Sequence, residues 1–358
     1  MNTEFDRSGD MDLPGYYVEY VGEVDHRWDE FVRGSAGASI YHLMKWRQLI
    51  EDVFGHRAHY LMALTDAGEC KGLLPLIEMR SMVFGRYLVS IPFFNYGGVC
   101  AENERAKKFL ISESIKLAER LNVDHLELRA TEPSDAGLQV RLEKVGMSLT
   151  LKESADDMWE SFPSKLRSQI RRPRKDGLTA KIGGVELLDS FYDVFSENMR
   201  DLGTPVYERR FFETILARFP DESRICAVFA PEGKPLAAGF VLRWRSTLEI
   251  PWASSLKRSN RAGANMLMYW SIIEFACNSG VREFDFGRST VGEGTYRFKE
   301  QWGAKPRQLY WYYWVKGGGS IPMLNPSNPK YRMAIGLWKR LPVALTRIIG
   351  PRVVRNLP

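Results

Sequence analysis

The chain has 358 residues, 44% of them hydrophobic, enough for two ordinary domains each with a core. No apolar run reaches about 18 residues, which excludes a membrane-spanning helix by length. The net charge of +6 is local: residues 316–358 hold eight Lys or Arg and no acid, so the remainder is slightly acidic, unlike a chain that coats nucleic acid.

Residues 1–14 read as a disordered leader; they are polar, acidic and without the apolar segment of a secretory signal. Residues 16–24 alternate as a strand. Helical spacing covers 25–33 and 43–54, with His42, Trp46 and His56 nearby. The two histidines are expected to pack or sit on the surface rather than bind ligand. Residues 60–64, 72–82 and 87–94 read as an antiparallel meander. Pro92 and the Gly97-Gly98 pair close it, letting backbone turn sharply or approach a ligand. A helix is expected over 104–121, a strand over 123–129, a helix over 135–145 and a strand over 147–151.

The order then recurs. Helices are expected over 185–202, 208–219 and 261–279, and strands over 225–230, 235–243, 248–253 and 281–286. Ile250-Pro251 repeats Ile91-Pro92 after 159 positions, and Val281 to Phe286 repeats Val123 to Leu128 after 158. Matching order and spacing predict a duplicated α+β unit. The expected divisions are 15–152, 153–315 and a basic tail over 316–358.

Residues 280–303 hold the densest chemistry. A buried strand exits at Asp285-Phe-Gly-Arg288, where α/β folds commonly bind ligands. A turn at Gly292-Glu-Gly294 leads to Tyr296, Phe298, Lys299 and Trp302. Asp285 as a turn cap and Lys299 as a solvated lysine is the plain alternative. At the inter-domain boundary, six Lys or Arg fall between Lys165 and Lys175. Arg167, Arg171 and Lys175 share one helix face, where arginines can fork onto phosphate or simply face solvent.

The turn Phe94-Asn-Tyr-Gly-Gly98, the helix from Lys165 to Arg172, the helix around Asn265, Phe284-Asp-Phe-Gly287 and Phe298-Lys-Glu-Gln-Trp-Gly303 together resemble the FemAB family of aminoacyltransferases. The nearest branch is similar to proteins associated with exosortase and PEP-CTERM exopolysaccharide systems. The resemblance implies tandem domains of the GCN5-related acetyltransferase (GNAT, acyl-CoA N-acyltransferase) type, hence an α+β fold. It implies transfer of an aminoacyl or acyl group onto an amine of a phosphate-bearing, lipid-linked glycan or peptide precursor of the cell envelope, peptidoglycan or exopolysaccharide. Lys299 matches the family lysine that steadies transition-state charge. Lys165, Arg167 and Arg171 match the region that grips acceptor phosphates. Asp285 is expected to orient or deprotonate the amine; Tyr96, Asn265, Arg288, Tyr296 and Phe298 are expected to line the substrate site.

No metal or resident cofactor is expected. The donor is aminoacyl-tRNA, acyl-CoA or acyl carrier protein. The coenzyme A turn departs from the usual pattern, since Asn260-Arg-Ala-Gly263-Ala-Asn265 begins with the wrong residue and ends with Asn. Four scattered cysteines predict neither zinc site nor disulfide framework, and a reduced, cytoplasmic protein. Residues 331–349 read as an amphipathic helix kinked at Pro342. Its basic and apolar faces suit an anionic membrane surface, placing the protein peripherally at the inner membrane, or the helix docks on the protein's own core. A catalytically silent recruiting module and a conventional acyl-CoA N-acyltransferase are the alternative functions.

Overall fold

The computed structural model describes residues 15–22, 25–81, 85–321 and 329–357, so the expected leader over 1–14 lies outside the described residues. The first half runs β1 (Tyr17–Val21), α1 (His26–Gly34), α2 (Met44–Phe54), β2 (Arg57–Leu64), β3 (Cys70–Ser81), β4 (Gly85–Val89), β5 (Cys100–Ala101), α3 (Glu104–Arg120), β6 (His125–Ala130), β7 (Gln139–Arg141) and β8 (Lys144–Thr150). The second runs α4 (Ala155–Ser161), α5 (Ser164–Lys175), β9 (Thr179–Gly183), α6 (Leu188–Leu202), α7 (Arg209–Arg218), β10 (Ser223–Phe229), β11 (Pro235–Trp244), β12 (Thr247–Ser255), α8 (Ala264–Asn278), β13 (Glu283–Thr290), α9 (Gly294–Glu300), β14 (Lys305–Gln308) and β15 (Tyr310–Val315). Helices α10 (Pro329–Trp338) and α11 (Val343–Val354) follow.

Two sheets result. The first is ordered β1-β2-β3-β4-β6-β15-β7, with β5 beside β3; the second is β9-β10-β11-β12-β13-β8-β14. The two orders correspond place by place, as the repeat predicts. Each holds one parallel pair, β4 with β6 and β12 with β13, bonded over only three residues before the strands part.

One place in each sheet is filled by the other half. β8 pairs with β13 and β14, whereas β15 pairs with β6 and β7. The divisions drawn at 152 and 315 therefore fall just after strands that complete the opposite sheet. This exchange is invisible to local pattern, because a strand's alternation reports burial but not which sheet receives it.

Two readings are corrected. No helix spans 135–145. Gly137 sits at φ +64°, and Gln139 to Arg141 pair with β15 instead. Leu138, Val140 and Leu142 also alternate with period two, and strand pairing decides between the periods. The tail is not one kinked helix but two, broken before Pro342, which disfavours helical backbone at Leu341.

α3 and α8 each cover one sheet. α8 is apolar nearly all round and is buried accordingly. A shared core fills the space between the halves: Trp46 stacks on Phe219 at 4.7 Å, and Phe94 meets Trp252 edge-on at 5.6 Å. The domains are thus cemented by aromatic packing as well as by traded strands. Among the described residues, no helix is long and apolar enough to cross a membrane.

Candidate functional site

The parallel pairing of β12 and β13 stops at Glu249 and Asp285, which are direct neighbours across the strands. Beyond them the strands diverge, so two carboxylates stand side by side at the mouth of a wedge. Asp285 opens a β-bulge: its Oδ1 accepts from the Gly287 N–H at 2.7 Å, and the register shifts before Arg288. Gly287 holds φ +71°, and a Cβ there would press Asn95 Nδ2 at 3.3 Å. The positive φ is what favours glycine here, and the Asn95 contact adds only a tight fit.

The turn after β4 brings the first half to this wedge. Ile91 and Phe93 adopt φ +51° and +74°, a costly conformation for side chains of their kind. Gly98 passes so close to β6 that a Cβ would lie 2.9 Å from the Arg129 carbonyl oxygen. His42 fixes the turn. Its Nε2–H donates to the Gly98 carbonyl at 2.8 Å, while Nδ1 accepts from the Ser39 N–H at 3.0 Å. Both ring nitrogens are committed, and burial holds the ring below its ordinary pKa, so His42 is a neutral strut. His56 is likewise a packing residue, bonded to the Arg355 carbonyl at 2.6 Å.

The outcome is a matched pair. Tyr96 Oη donates to Asp285 Oδ2 at 2.7 Å, and Tyr41 Oη donates to Glu249 Oε2 at 2.7 Å. Both carboxylates line a cavity of about 890 Å³ at the seam, with Tyr41, Tyr96, Gly98 and Arg307. Glu249 Oε1 is buried with no close hydrogen-bond partner, although the nearby Asn95 side chain acts on this carboxyl and favours its ionised form. Burial, then the neighbouring Asp285 charge, pushes Glu249 up to about 8. Burial raises Asp285 as well, against the hydrogen bonds from Tyr96 and Gly287. The pair cannot carry two charges cheaply and tends to hold one proton near neutrality.

Lys299 stands behind Asp285. Its Nζ donates to the Gly287 and Arg288 carbonyls at 3.0 and 2.8 Å, which the bulge leaves free. One of its three donors remains uncommitted. Burial lowers it to about 8, against the attraction of Asp285 and Glu249.

The other expected site residues are elsewhere. Arg288 lies over the Trp311 ring at 5.1 Å, which Arg129 also approaches at 4.7 Å. Phe298 packs on Tyr269 at 5.0 Å, and Tyr296 is half-buried against the second core. Asn265 occupies the first turn of α8. On α5, Arg167 pairs with Glu160 and Arg171 lies over Trp159 at 5.1 Å. None of these, nor Lys165, lines the seam cavity.

Glu249, Tyr41 and Arg307 escape sequence reasoning. The signal for Glu249 is a lone acid between Leu248 and Ile250 in a buried strand, where the repeat has Ser90. In the first half the counterpart of Asp285 is Glu127, neutralised by Arg129 at 2.7 Å, whose guanidinium also donates to the Phe94 carbonyl. The first wedge is thus filled and charge-balanced; the second is open and holds two acids.

Tyr96→Phe removes a donor to the ionised carboxylate. The Asp285 carboxyl, followed by side-chain 13C shift, is expected to titrate at higher pH than in the parent. An unmoved titration would separate Tyr96 from Asp285.

The chain's likenesses agree with this architecture. Residues 164–300 match the family described as Acetyltransferase (GNAT) domain. Over 174 residues the chain is 26% identical to UDP-N-acetylmuramoylpentapeptide-lysine N(6)-alanyltransferase of Weissella viridescens. That match takes in 46% of this chain and 51% of the relative, so it spans about half the relative's length. The crystal structure of FemX superposes with a TM-score of 0.63 at 15% identity, over 88% of this chain and 100% of that one. L-PGS from Bacillus licheniformis superposes at 0.56 and 13% identity, over 90% of this chain and 96% of that one. Two GNAT-type domains in tandem, each completed by a strand of the other, are therefore the fold of this chain.

Proposed function

We propose that the chain is a FemAB-like acyltransferase that forms an amide by moving an aminoacyl or acyl group onto an amine at the inter-domain seam. The observation that carries this is the buried carboxylate pair, each acid oriented by a tyrosine from the opposite half, with a buried lysine behind one of them. Similarity to the Weissella viridescens alanyltransferase supports the class of reaction.

The amine of the acceptor arrives as an ammonium ion. Glu249, whose carboxyl ionises only near pH 8, takes a proton from it once ionised. The free amine attacks the donor carbonyl, a C–N bond forms, and charge gathers on the carbonyl oxygen. The Lys299 ammonium steadies this charge through the local field. As the tetrahedral species collapses, the bond to the leaving oxygen or sulfur breaks, Glu249 hands its proton to that leaving group, and the carboxylate so regenerated takes the surplus proton of the adduct nitrogen, leaving a neutral amide. Asp285 orients the amine.

The acceptor is a phosphate-bearing precursor of the cell envelope or of an exopolysaccharide, and the donor is aminoacyl-tRNA in preference to acyl-CoA or acyl carrier protein. Labelled donors of these three kinds, each incubated with lipid extract, test the proposal. Label in an amide product from the first supports it; no transfer from any overturns it.

Two basic elements compete for the acceptor phosphate. Arg307 is exposed, lines the cavity and has no ion pair among the described residues. Arg307→Gln is expected to raise KM for a phosphorylated acceptor about tenfold, the scale of one charge-assisted bond. Arg167→Glu with Arg171→Glu is expected to weaken the acceptor further if α5 holds a distal phosphate. Unchanged affinity in this double variant would return α5 to a solvated face.

A further inference from the structure

α11 is mounted inside out. Its inward side is narrow and mostly small or polar: Thr346 and Gly350 are buried with Val354 as the one buried apolar side chain, and a Cβ on Gly350 would lie 2.8 Å from the Val206 backbone nitrogen. Arg347 clamps this face, with Nη2 on Asp193 at 2.6 Å and Nε on Ser196 Oγ at 2.8 Å. The apolar side points outward. Leu345, Ile348, Ile349 and Val353 are exposed, Ile348 by 64%, and they recur every three or four residues. On α10, Met333 and Leu337 are exposed by 72% and 64%. A helix that shows most of its large apolar side chains to water while anchored through Thr346, Arg347, Gly350 and Val354 marks an interaction surface.

Beside it lies a cleft of about 610 Å³ between the end of α11 and the first sheet. Arg57, Arg80, Arg352 and Arg355 line it, with Glu78 the one acid. Glu78 is already shared among Arg86 at 2.9 Å, Arg80 at 3.3 Å and His59 at 3.4 Å. Arg57 and Arg352 are exposed and have no ion pair among the described residues. The cleft is therefore a set of forked donors with surplus positive charge, the chemistry that receives a phosphate.

We propose that the outward face of α11 and this cleft form one docking site for an anionic phospholipid bilayer, with a lipid phosphate held by Arg57, Arg352 and Arg355. Charge decides the occupant. The tail has eight basic residues and no acid, so a second copy would oppose like charge to like, and an uncharged apolar partner would leave the cleft unanswered. A bilayer supplies an apolar interior and anionic headgroups within one helix width. The site stands apart from the seam cavity, and docking is independent of the acyl-transfer reading.

Co-sedimentation of the full chain with phosphatidylcholine vesicles, with and without phosphatidylglycerol, tests it. Binding is expected only with phosphatidylglycerol, and to weaken with salt. Arg57→Gln with Arg352→Gln is expected to lower affinity roughly 30-fold, from about fivefold for each arginine near an anionic surface. Ile348→Ser, at an exposed position, is expected to lower it as well, with the melting temperature unchanged in both variants. Turnover on a water-soluble acceptor is expected to be unaffected, which separates docking from transfer. Equal binding to vesicles without phosphatidylglycerol, parent-like binding by either variant, or a dimer in solution that Ile348→Ser dissolves would each overturn the proposal.

Discussion

Glu249→Gln is expected to make the protein more stable and, in the same stroke, nearly inactive. In the folded chain burial lifts Glu249 to about 8, whereas an unfolded glutamate titrates near its ordinary 4.5. Between those values the folded state holds a proton that the unfolded state has lost. The native state thus binds more protons, and stability falls as pH rises across that window. The full contribution is present below about 4.5 and is lost as pH passes 8, a change on the order of 2–5 kcal/mol. Glutamine keeps an oxygen for the Tyr41 hydroxyl and never ionises. Its gain in melting temperature is therefore expected to be larger at pH 8.5 than at pH 5. Transfer is expected to fall about 10²- to 10⁴-fold, the usual worth of a general base. Equal melting shifts at both pH values would show that Glu249 ionises as a solvated carboxylate.

Lys299→Met is the second large effect. The ammonium acts from behind Asp285 without lining the cavity, so it is expected to contribute about 2 kcal/mol to the transition state and kcat to drop about 30-fold. The melting temperature should fall modestly, because the Gly287 and Arg288 carbonyls lose their donor. The pH profile distinguishes the two roles. Transfer needs Glu249 ionised and Lys299 protonated, and both change near pH 8. A narrow bell centred there is expected in the parent. In Lys299→Met the alkaline limb should vanish while the acidic limb stays, and a retained alkaline limb with near-parental kcat would remove Lys299 from the chemistry.

Much of the scaffold was legible because it is local. The Ile-Pro and Val-to-Phe echoes mark equivalent strands in both sheets, and β4, β6, β12 and β13 occupy corresponding places. Asp285 and Tyr96, singled out 189 positions apart, meet at 2.7 Å. What stayed hidden depends on long-range pairing. Glu249 looks like a stray acid in an apolar strand until Asp285 is set beside it. Tyr41 looks like a core aromatic until its hydroxyl finds that acid. The basic run on α5 is conspicuous in sequence, yet Arg167 and Arg171 meet a glutamate and a tryptophan of α4. Residues 135–145 carry both helical and alternating periods, and a partner 170 positions later selects the second.

The traded strands carry a mechanical consequence. β8 has a neighbour from the other half on each side, and so has β15. Each ladder lies within one sheet, so turning one sheet against the other would break none of them; it would instead strain the two short crossing links, residues 142–143 and Leu309, and open the shared aromatic core. Two covalent tethers of one and two residues, one in each direction, thus hold the walls of the seam together, and any widening for a bulky donor or acceptor must be small enough for those tethers to follow.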